Sequence, residues 1–194
     1  GSRMAANLLE AEQARQQGVR FLDAPVAGTR GPAEKGELLF LVGGSRENYE
    51  DAYPLMKVMG REAKYIGDQG KGTAIKMAFN YMLALNMAGF SEASALAQEA
   101  GISRKTVFDT LLDSPAAAPF LNAKRGKLER GDGEADFPLK WMYKDLHLAS
   151  LTAYELELPM ALENSTKELF AAANRAGYGS SDFSTIFSHL NRNG

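Results

Sequence analysis

The chain has 194 residues, enough for one domain or one small domain plus part of another. Hydrophobic residues make up 45% and charged residues 24%, ordinary for a soluble globular protein. There is no cysteine and there are two histidines, which excludes disulfides, thiolate metal sites and an all-histidine zinc site. The net charge of -2 is spread along the chain. No segment offers the basic, aromatic-rich face that nucleic-acid binding needs, and apolar runs such as Leu38 to Val42 are far too short to span a bilayer. Nothing at the N-terminus reads as a signal peptide, so the expectation is a cytoplasmic protein whose partners are small molecules or copies of itself.

Residues 4–17 predict a helix, with Met4, Leu8 and Leu9 at helical spacing and Gly18 as its cap. Val19 to Val26 predicts a short strand stopped near Pro25, and Gly28, Gly31, Pro32 and Gly36 predict a loop. Glu37 to Gly43 predicts a buried strand, Arg46 to Gly60 a helix and Ala63 to Ile66 an edge strand. The alternation is that of an α/β fold.

At Gly67 the character changes, and no convincing strand follows. Residues 71–100 predict one helix, roughly 45 Å long at 1.5 Å per residue. Ile75, Phe79, Met82, Met87 and Phe90 lie on a broad apolar stripe, which predicts burial on several sides or at a dimer interface. Ser103 caps a helix over 104–112, and Pro115 and Pro119 break the next stretch. Gly131 to Phe137 is an acidic loop, and helices follow over 139–157, from Pro159 to Gly177, and over 181–190. The fold class is therefore an α/β domain followed by an all-α domain built on one long helix, with domains 1–66 and 67–194. Lys124 to Lys127 reads as a solvated helix end, and Asp132, Glu134 and Asp136 as solvated loop acids that lack the EF-hand pattern.

Two stretches point to chemistry. In Gly70-Lys71-Gly72-Thr73-Ala74-Ile75-Lys76-Met77-Ala78-Phe79-Asn80, two glycines open the long helix and Lys76 and Asn80 share a face at i and i+4. Such glycines allow close approach of a ligand and leave N–H groups for an anion. From spacing alone, the plainer reading is a capped helix with a surface lysine. In Asp23-Ala24-Pro25-Val26-Ala27-Gly28-Thr29, a strand ends in a glycine loop, the place where open α/β sheets bind ligands. A connecting loop explains that stretch equally well.

Together these stretches resemble the substrate-loop and catalytic-lysine motifs of the β-hydroxyacid dehydrogenase family. The family's Asp-Ala-Pro-Val-Ser-Gly is matched except for Ala27 in place of serine, and its Gly-x-Gly-x-x-x-Lys-x-x-x-Asn is matched in full by Gly70, Gly72, Lys76 and Asn80. Phe137 followed by Lys144-Asp145-Leu146-His147-Leu148-Ala149 is similar to a third family segment. Pro32-Ala33-Glu34-Lys35-Gly36 leans toward the glyoxylate/succinic semialdehyde reductases.

The resemblance implies a Rossmann-type domain and an NAD(P)-dependent oxidoreductase acting on a small hydroxy acid and its aldehyde or keto acid. Lys76 would be the general acid/base, a role that suits a lysine whose pKa partial burial brings toward neutrality. Asn80 would bind substrate, and the backbone of Ala27, Gly28 and Thr29 would bind its carboxylate, with Ala27 lacking the family's hydroxyl. Phe137 and Lys144 would meet the cofactor, NADP or NAD, with NADP favoured although the selector region is absent. A homodimer or homotetramer is implied. By itself, Lys144 reads as a solvated lysine paired with Asp145, and His147 and His189 as helix-surface residues.

No Gly-x-Gly-x-x-Gly precedes Asp23. Residues 1–10 resemble the helix that follows that fingerprint in the family, while Ala11 onward resembles a helix found much later in complete relatives. Either an internal block is absent, or Gly1-Ser2 is a tag remnant and the likeness is chance. The residual sheet is then expected to have an exposed edge and to bind dinucleotide poorly. The alternative function is a non-catalytic oligomerisation module derived from such an enzyme.

Overall fold

The computed structural model describes residues 2–28, 30–131 and 133–191. In chain order the elements are α1 (Arg3–Gln16), β1 (Val26–Ala27), α2 (Arg30–Glu34), β2 (Leu38–Gly43), α3 (Arg46–Met59), β3 (Gly60–Gly67) and α4 (Lys71–Glu99). Then come α5 (Arg104–Leu111), α6 (Pro119–Ala123), α7 (Arg125–Arg130), α8 (Leu139–Glu155), α9 (Ala161–Arg175) and α10 (Ile186–Leu190), the last preceded by two short 3-10 turns. By compactness the chain divides into two units. One holds the residues up to Asn80 with Leu148–Pro159, and the other Tyr81–His147 with the chain from Met160 onward. The change of character at Gly67 falls inside the first unit.

The first unit is built on a three-stranded sheet in the order β1-β2-β3. β2 and β3 are parallel because α3 supplies the crossover between them. Ser45 caps α3 by accepting from Asn48 N–H at 3.2 Å, and Tyr49 Oη donates to the Ala63 carbonyl at 2.8 Å, tying α3 to β3. The small core consists of Phe40, Val42, Met56 and Ala63.

β1 runs antiparallel to β2, pairing Val26 with Phe40 and Ala27 with Leu39. The strand expected over Val19–Val26 shrinks to these two residues and a bridge from Asp23 to Gly43. Before Asp23 the segment has no neighbouring strand among the described residues, so no ladder of hydrogen bonds extends over it. The glycine-rich loop contains the five-residue α2, stabilised by an Arg30–Glu34 ion pair one turn apart. Gly18 is left-handed at φ 69° and closes α1 as expected: its N–H donates to the Arg15 carbonyl and Val19 N–H to Ala14.

In the second unit, helices surround Met87, Phe90, Phe108, Leu139, Met142, Leu146, Phe170 and Phe187. The rings of Phe90, Phe108 and Phe187 lie 5.4–6.0 Å apart, in the range where aromatic pairs attract. α6 and α7 are additions to the sequence expectation, because helices of five and six residues are shorter than one window of hydrophobic periodicity.

The long α4 is present, but its expected apolar stripe divides. Met87 and Phe90 are buried, whereas Ile75, Phe79 and Met82 are exposed at 41%, 41% and 55%. Their directions lie opposite the face that bears Thr73, Met77 and Asn80, which is the buried one in the helix's first half. No helix of the described chain is long and apolar enough to cross a membrane.

Candidate active site

Helix α4 opens without a side-chain cap of its own, because the residue before it is Gly70. Its unsatisfied N–H groups need another partner. Asp23, the first residue of the substrate-loop motif, provides it from fifty residues upstream. One carboxylate oxygen of Asp23 accepts from Thr73 N–H and the other from Thr73 Oγ1, both at 2.6 Å. The latter oxygen also accepts from Asn7 Nδ2 at 3.2 Å, and Asn7 Oδ1 accepts from Gln69 Nε2 at 2.7 Å. Asp23, Thr73 and Asn7 are all buried.

The backbone of Asp23 is held equally firmly. Its N–H donates to the Gly43 carbonyl at 2.9 Å, and Gly43 N–H donates back at 2.7 Å. Gly72 explains why the start of α4 can come so close. A Cβ there would lie 2.3 Å from the Leu41 carbonyl oxygen and 2.6 Å from that of Asp23. The glycine expected to admit a ligand instead admits the protein's own sheet, and the Thr73 N–H open to an anion by sequence is occupied by Asp23.

Thr73, Lys76 and Asn80 follow at i, i+3 and i+7 on one face of α4. Asn80 is 3% exposed and Lys76 half-buried, its Nζ 5.2 Å from the centroid of the Phe79 ring. Ala27 is buried at the end of β1, and Gly28, at φ 135°, follows it. A side chain at Gly28 would strike Leu38 Cδ2 at 2.8 Å. Thr29, the third expected substrate contact, lies outside the described residues. The first unit therefore joins the substrate-loop motif and the lysine motif through Asp23 and Thr73.

Phe137 and Lys144 belong to the second unit. Lys144 Nζ pairs with Asp145 Oδ1 at 2.6 Å and lies 6.0 Å from the Trp141 ring, with half of its side chain exposed. His147 is exposed, as expected of a helix-surface residue, and His189 packs edge-on to Tyr178. The Phe137 ring meets Phe183 edge-on at 6.1 Å, and its N–H donates to Asp182 Oδ2 at 3.2 Å.

Asp182 is a residue that the sequence reading missed. It is fully buried, accepts from both Asp136 N–H and Phe137 N–H, and takes Lys124 Nζ at 2.9 Å on each oxygen. Burial pushes its carboxyl up, but the Lys124 ammonium and the Ser184 hydroxyl and N–H outweigh this and hold it below the usual carboxylate range.

The expectation of a solvated run at Lys124–Lys127 is corrected by this network. The side chains of Lys124 and Lys127 are only 12% and 17% exposed, and both pair with Asp136. Asp136 is thus no idle loop acid, and Lys127 also donates to the Glu134 carbonyl. Asp132 lies outside the described residues.

A three-stranded α/β unit that carries the start of a long helix, and a helical unit after it, define a class by fold: proteins with a Rossmann-like domain and a helical C-terminal domain. Comparison with known proteins identifies the family. Residues 70–190 match the family profile described as NAD-binding of NADP-dependent 3-hydroxyisobutyrate dehydrogenase, and residues 2–67 match that of the NAD binding domain of 6-phosphogluconate dehydrogenase. The chain belongs to the β-hydroxyacid dehydrogenase family.

Among its relatives is a glyoxylate/succinic semialdehyde reductase 2 of Arabidopsis thaliana, 31% identical over 96% of this chain and 52% of the relative. Another is a probable mitochondrial 3-hydroxyisobutyrate dehydrogenase of the same plant, 37% identical over 88% of this chain and 51% of the relative. The chain thus spans about half the length of these curated relatives. A solved 3-hydroxyisobutyrate dehydrogenase from Mycobacterium tuberculosis superposes with a TM-score of 0.88 at 25% identity, covering 96% of this chain and 66% of that one.

NAD or NADP binding is a family property, and these residues fit it only in part. The sequence holds no Gly-x-Gly-x-x-Gly run. At the start of α1, Ser2 Oγ accepts from Ala5 N–H, while Ser2 N–H and Oγ donate to the Glu155 carboxylate at 2.8 and 2.5 Å.

Proposed function

We propose that the chain carries the substrate half of an NAD(P)-dependent hydroxyacid dehydrogenase site. The substrates are a short hydroxy acid and its aldehyde or keto acid, of the glyoxylate, succinic semialdehyde or 3-hydroxyisobutyrate type. In the reductive direction, Lys76 Nζ gives a proton to the carbonyl oxygen, and in the oxidative direction it takes the proton back from the hydroxyl. Asn80, one turn further along the same buried face, holds the substrate's oxygen by its side-chain amide. The backbone N–H of Gly28, just past the ladder pair of Ala27 with Leu39, receives the carboxylate, while Ala27 N–H is turned into the sheet and Ala27 ends the strand that presents the loop. The hydride belongs to a bound dinucleotide, whose pyrophosphate loop is not among the described residues.

One observation carries the reading: the Asp23–Thr73 hydrogen bonds bring the substrate-loop motif and the Lys76 helix together in one unit. The relatives named as glyoxylate/succinic semialdehyde reductase and 3-hydroxyisobutyrate dehydrogenase support the substrate class. The test is reduction of glyoxylate and succinic semialdehyde with NADPH and with NADH, comparing the wild-type chain with Lys76→Ala. The substitution should lower kcat about a hundredfold or more, the usual scale for a lost general acid. Undiminished turnover by Lys76→Ala would refute the role of Lys76.

A further inference from the structure

Most helices begin with a cap from the adjacent residue, which secures the helix end and nothing else. In α4 that duty passes to Asp23, whose main chain is bonded in both directions to Gly43 at the end of β2. The carboxylate of Asp23 grips Thr73 at two atoms, the N–H and the hydroxyl, so it fixes the rotation of the helix as well as its height. Lys76 stands one turn beyond, about 4.5 Å along the axis at 1.5 Å per residue. Four residues after Asp23 the same chain reaches Ala27 and Gly28. Gly72 sets the contact distance, since no side chain fits between the helix start and the carbonyls of Leu41 and Asp23.

From this geometry we infer that Asp23 and Thr73 are positioning residues, which hold the amine of Lys76 in register with the carboxylate-binding loop. The inference rests on the reading of Lys76 given above. Thr73 is specific to the argument because its hydroxyl is not required for a helix start. The N–H alone would satisfy the backbone, whereas the hydroxyl adds the second bond that prevents rotation. Asp23 has no slack: its two oxygens meet three donors, Thr73 N–H, Thr73 Oγ1 and Asn7 Nδ2. In Asp23→Asn one acceptor becomes an NH2 that faces one of those donors.

The test compares Thr73→Val, Thr73→Ser and Asp23→Asn in the full chain by two readouts. One is kcat and KM for glyoxylate. The other is the rate at which an acylating reagent labels Lys76, measured by peptide mass spectrometry relative to Lys64, an exposed lysine of β3. Thr73→Val and Asp23→Asn should lower kcat about tenfold or more while KM stays within about twofold, the pattern of a misplaced catalytic group. The Lys76:Lys64 labelling ratio should change at least about threefold in both, and Thr73→Ser should restore kcat and ratio to near wild type.

General destabilisation would expose half-buried Lys76 more than Lys64, so the ratio is compared only between variants whose urea midpoints show them fully folded under the labelling conditions. A Leu41→Ala chain of similarly lowered stability gives the shift that loosening alone produces. An unchanged kcat and an unchanged ratio in a folded Thr73→Val chain would overturn the inference. If the wild-type chain does not turn over, the ratio alone decides: a shift reversed by serine supports the inference, and no shift overturns it. Full activity in Lys76→Ala, by contrast, would refute the catalytic reading while leaving the anchoring result intact.

Discussion

Asp23 and Asp182 are both buried, at 3% and 0% exposure, and each gathers donors at or just ahead of a helix start. Asp23 uses neutral donors only: the N–H and hydroxyl of Thr73 and the amide of Asn7. Asp182 uses an ammonium, two backbone N–H groups of the loop before α8, and the N–H and hydroxyl of Ser184. The difference sets what each costs to lose. Each hydrogen bond from a neutral donor to the Asp23 carboxylate is one of three that share its charge, so losing one is offset in part by the others. A buried carboxylate deprived of its ammonium, by contrast, is left as an uncompensated charge. The helical unit therefore depends on one ion pair more heavily than the α/β unit depends on any single contact of Asp23.

The sharpest way to break this comparison is Lys124→Met, which leaves Asp182 buried without its cation. It should lower stability by about 3–5 kcal/mol in urea unfolding followed by the fluorescence of Trp141, the only tryptophan. A loss no larger than that of Thr73→Val would show that the two aspartates are equivalent after all. Acid should return part of the same loss. The folded carboxyl of Asp182 titrates below its unfolded value, so its contribution is complete above the ordinary carboxylate range and disappears as pH falls through the lowered folded value. Melting temperature plotted against pH should accordingly be flatter at the acid end for Asp182→Asn than for wild type.

Gly72→Ala follows in size. A Cβ 2.3 Å from a main-chain oxygen forces the sheet and α4 apart, at a cost of about 1–3 kcal/mol. Amide hydrogen exchange should rise over β2 and the first turns of α4 together. Thr73→Val should cost about 1.5 kcal/mol, the low end for a hydrogen bond to a carboxylate, since the N–H bond remains and Asn7 still donates to the same oxygen. At the bottom of the scale, the Glu12 carboxyl is brought down to about 2 by its bonds with Arg15 and Gln16 on the surface of α1. Glu12→Gln should nonetheless leave the thermal midpoint unmoved, because exposed pairs are screened by solvent.

What was legible in the sequence follows the same division. Spacing alone favours a plain cap at the start of α4 and fits a plain loop after Asp23. The Asp23 and Lys76 stretches could be read only through their match to family motifs, which glycines, proline, lysine and asparagine at fixed offsets make visible in a string of letters. The Asp182–Lys124 pair could not, since its members are 58 residues apart and neither belongs to a local pattern. Composition even pointed the wrong way there: four residues with three cations resemble a solvated end, yet Asp136 and Asp182 draw the lysines inward.

The long α4, α3, α5 with its Ser103 cap, and the strands β2 and β3 were legible from period and punctuation. The exposure of Ile75, Phe79 and Met82 was not, because a period of 3.6 shows which residues share a face but not what stands opposite. The capping role of Asp23 was hidden inside a recognisable motif, whose proposed substrate-binding end, at Ala27 and Gly28, lies several residues away.

Whether Lys76 meets the reacting oxygen is decided by a crystal structure with bound 4-hydroxybutyrate, the hydroxy acid formed when succinic semialdehyde is reduced. The hydroxyl oxygen should lie within about 3 Å of Lys76 Nζ, hydrogen-bonding distance, with the carboxylate on the backbone N–H of Gly28. A ligand bound with its hydroxyl away from Lys76, or with its carboxylate on the lysine, would contradict it.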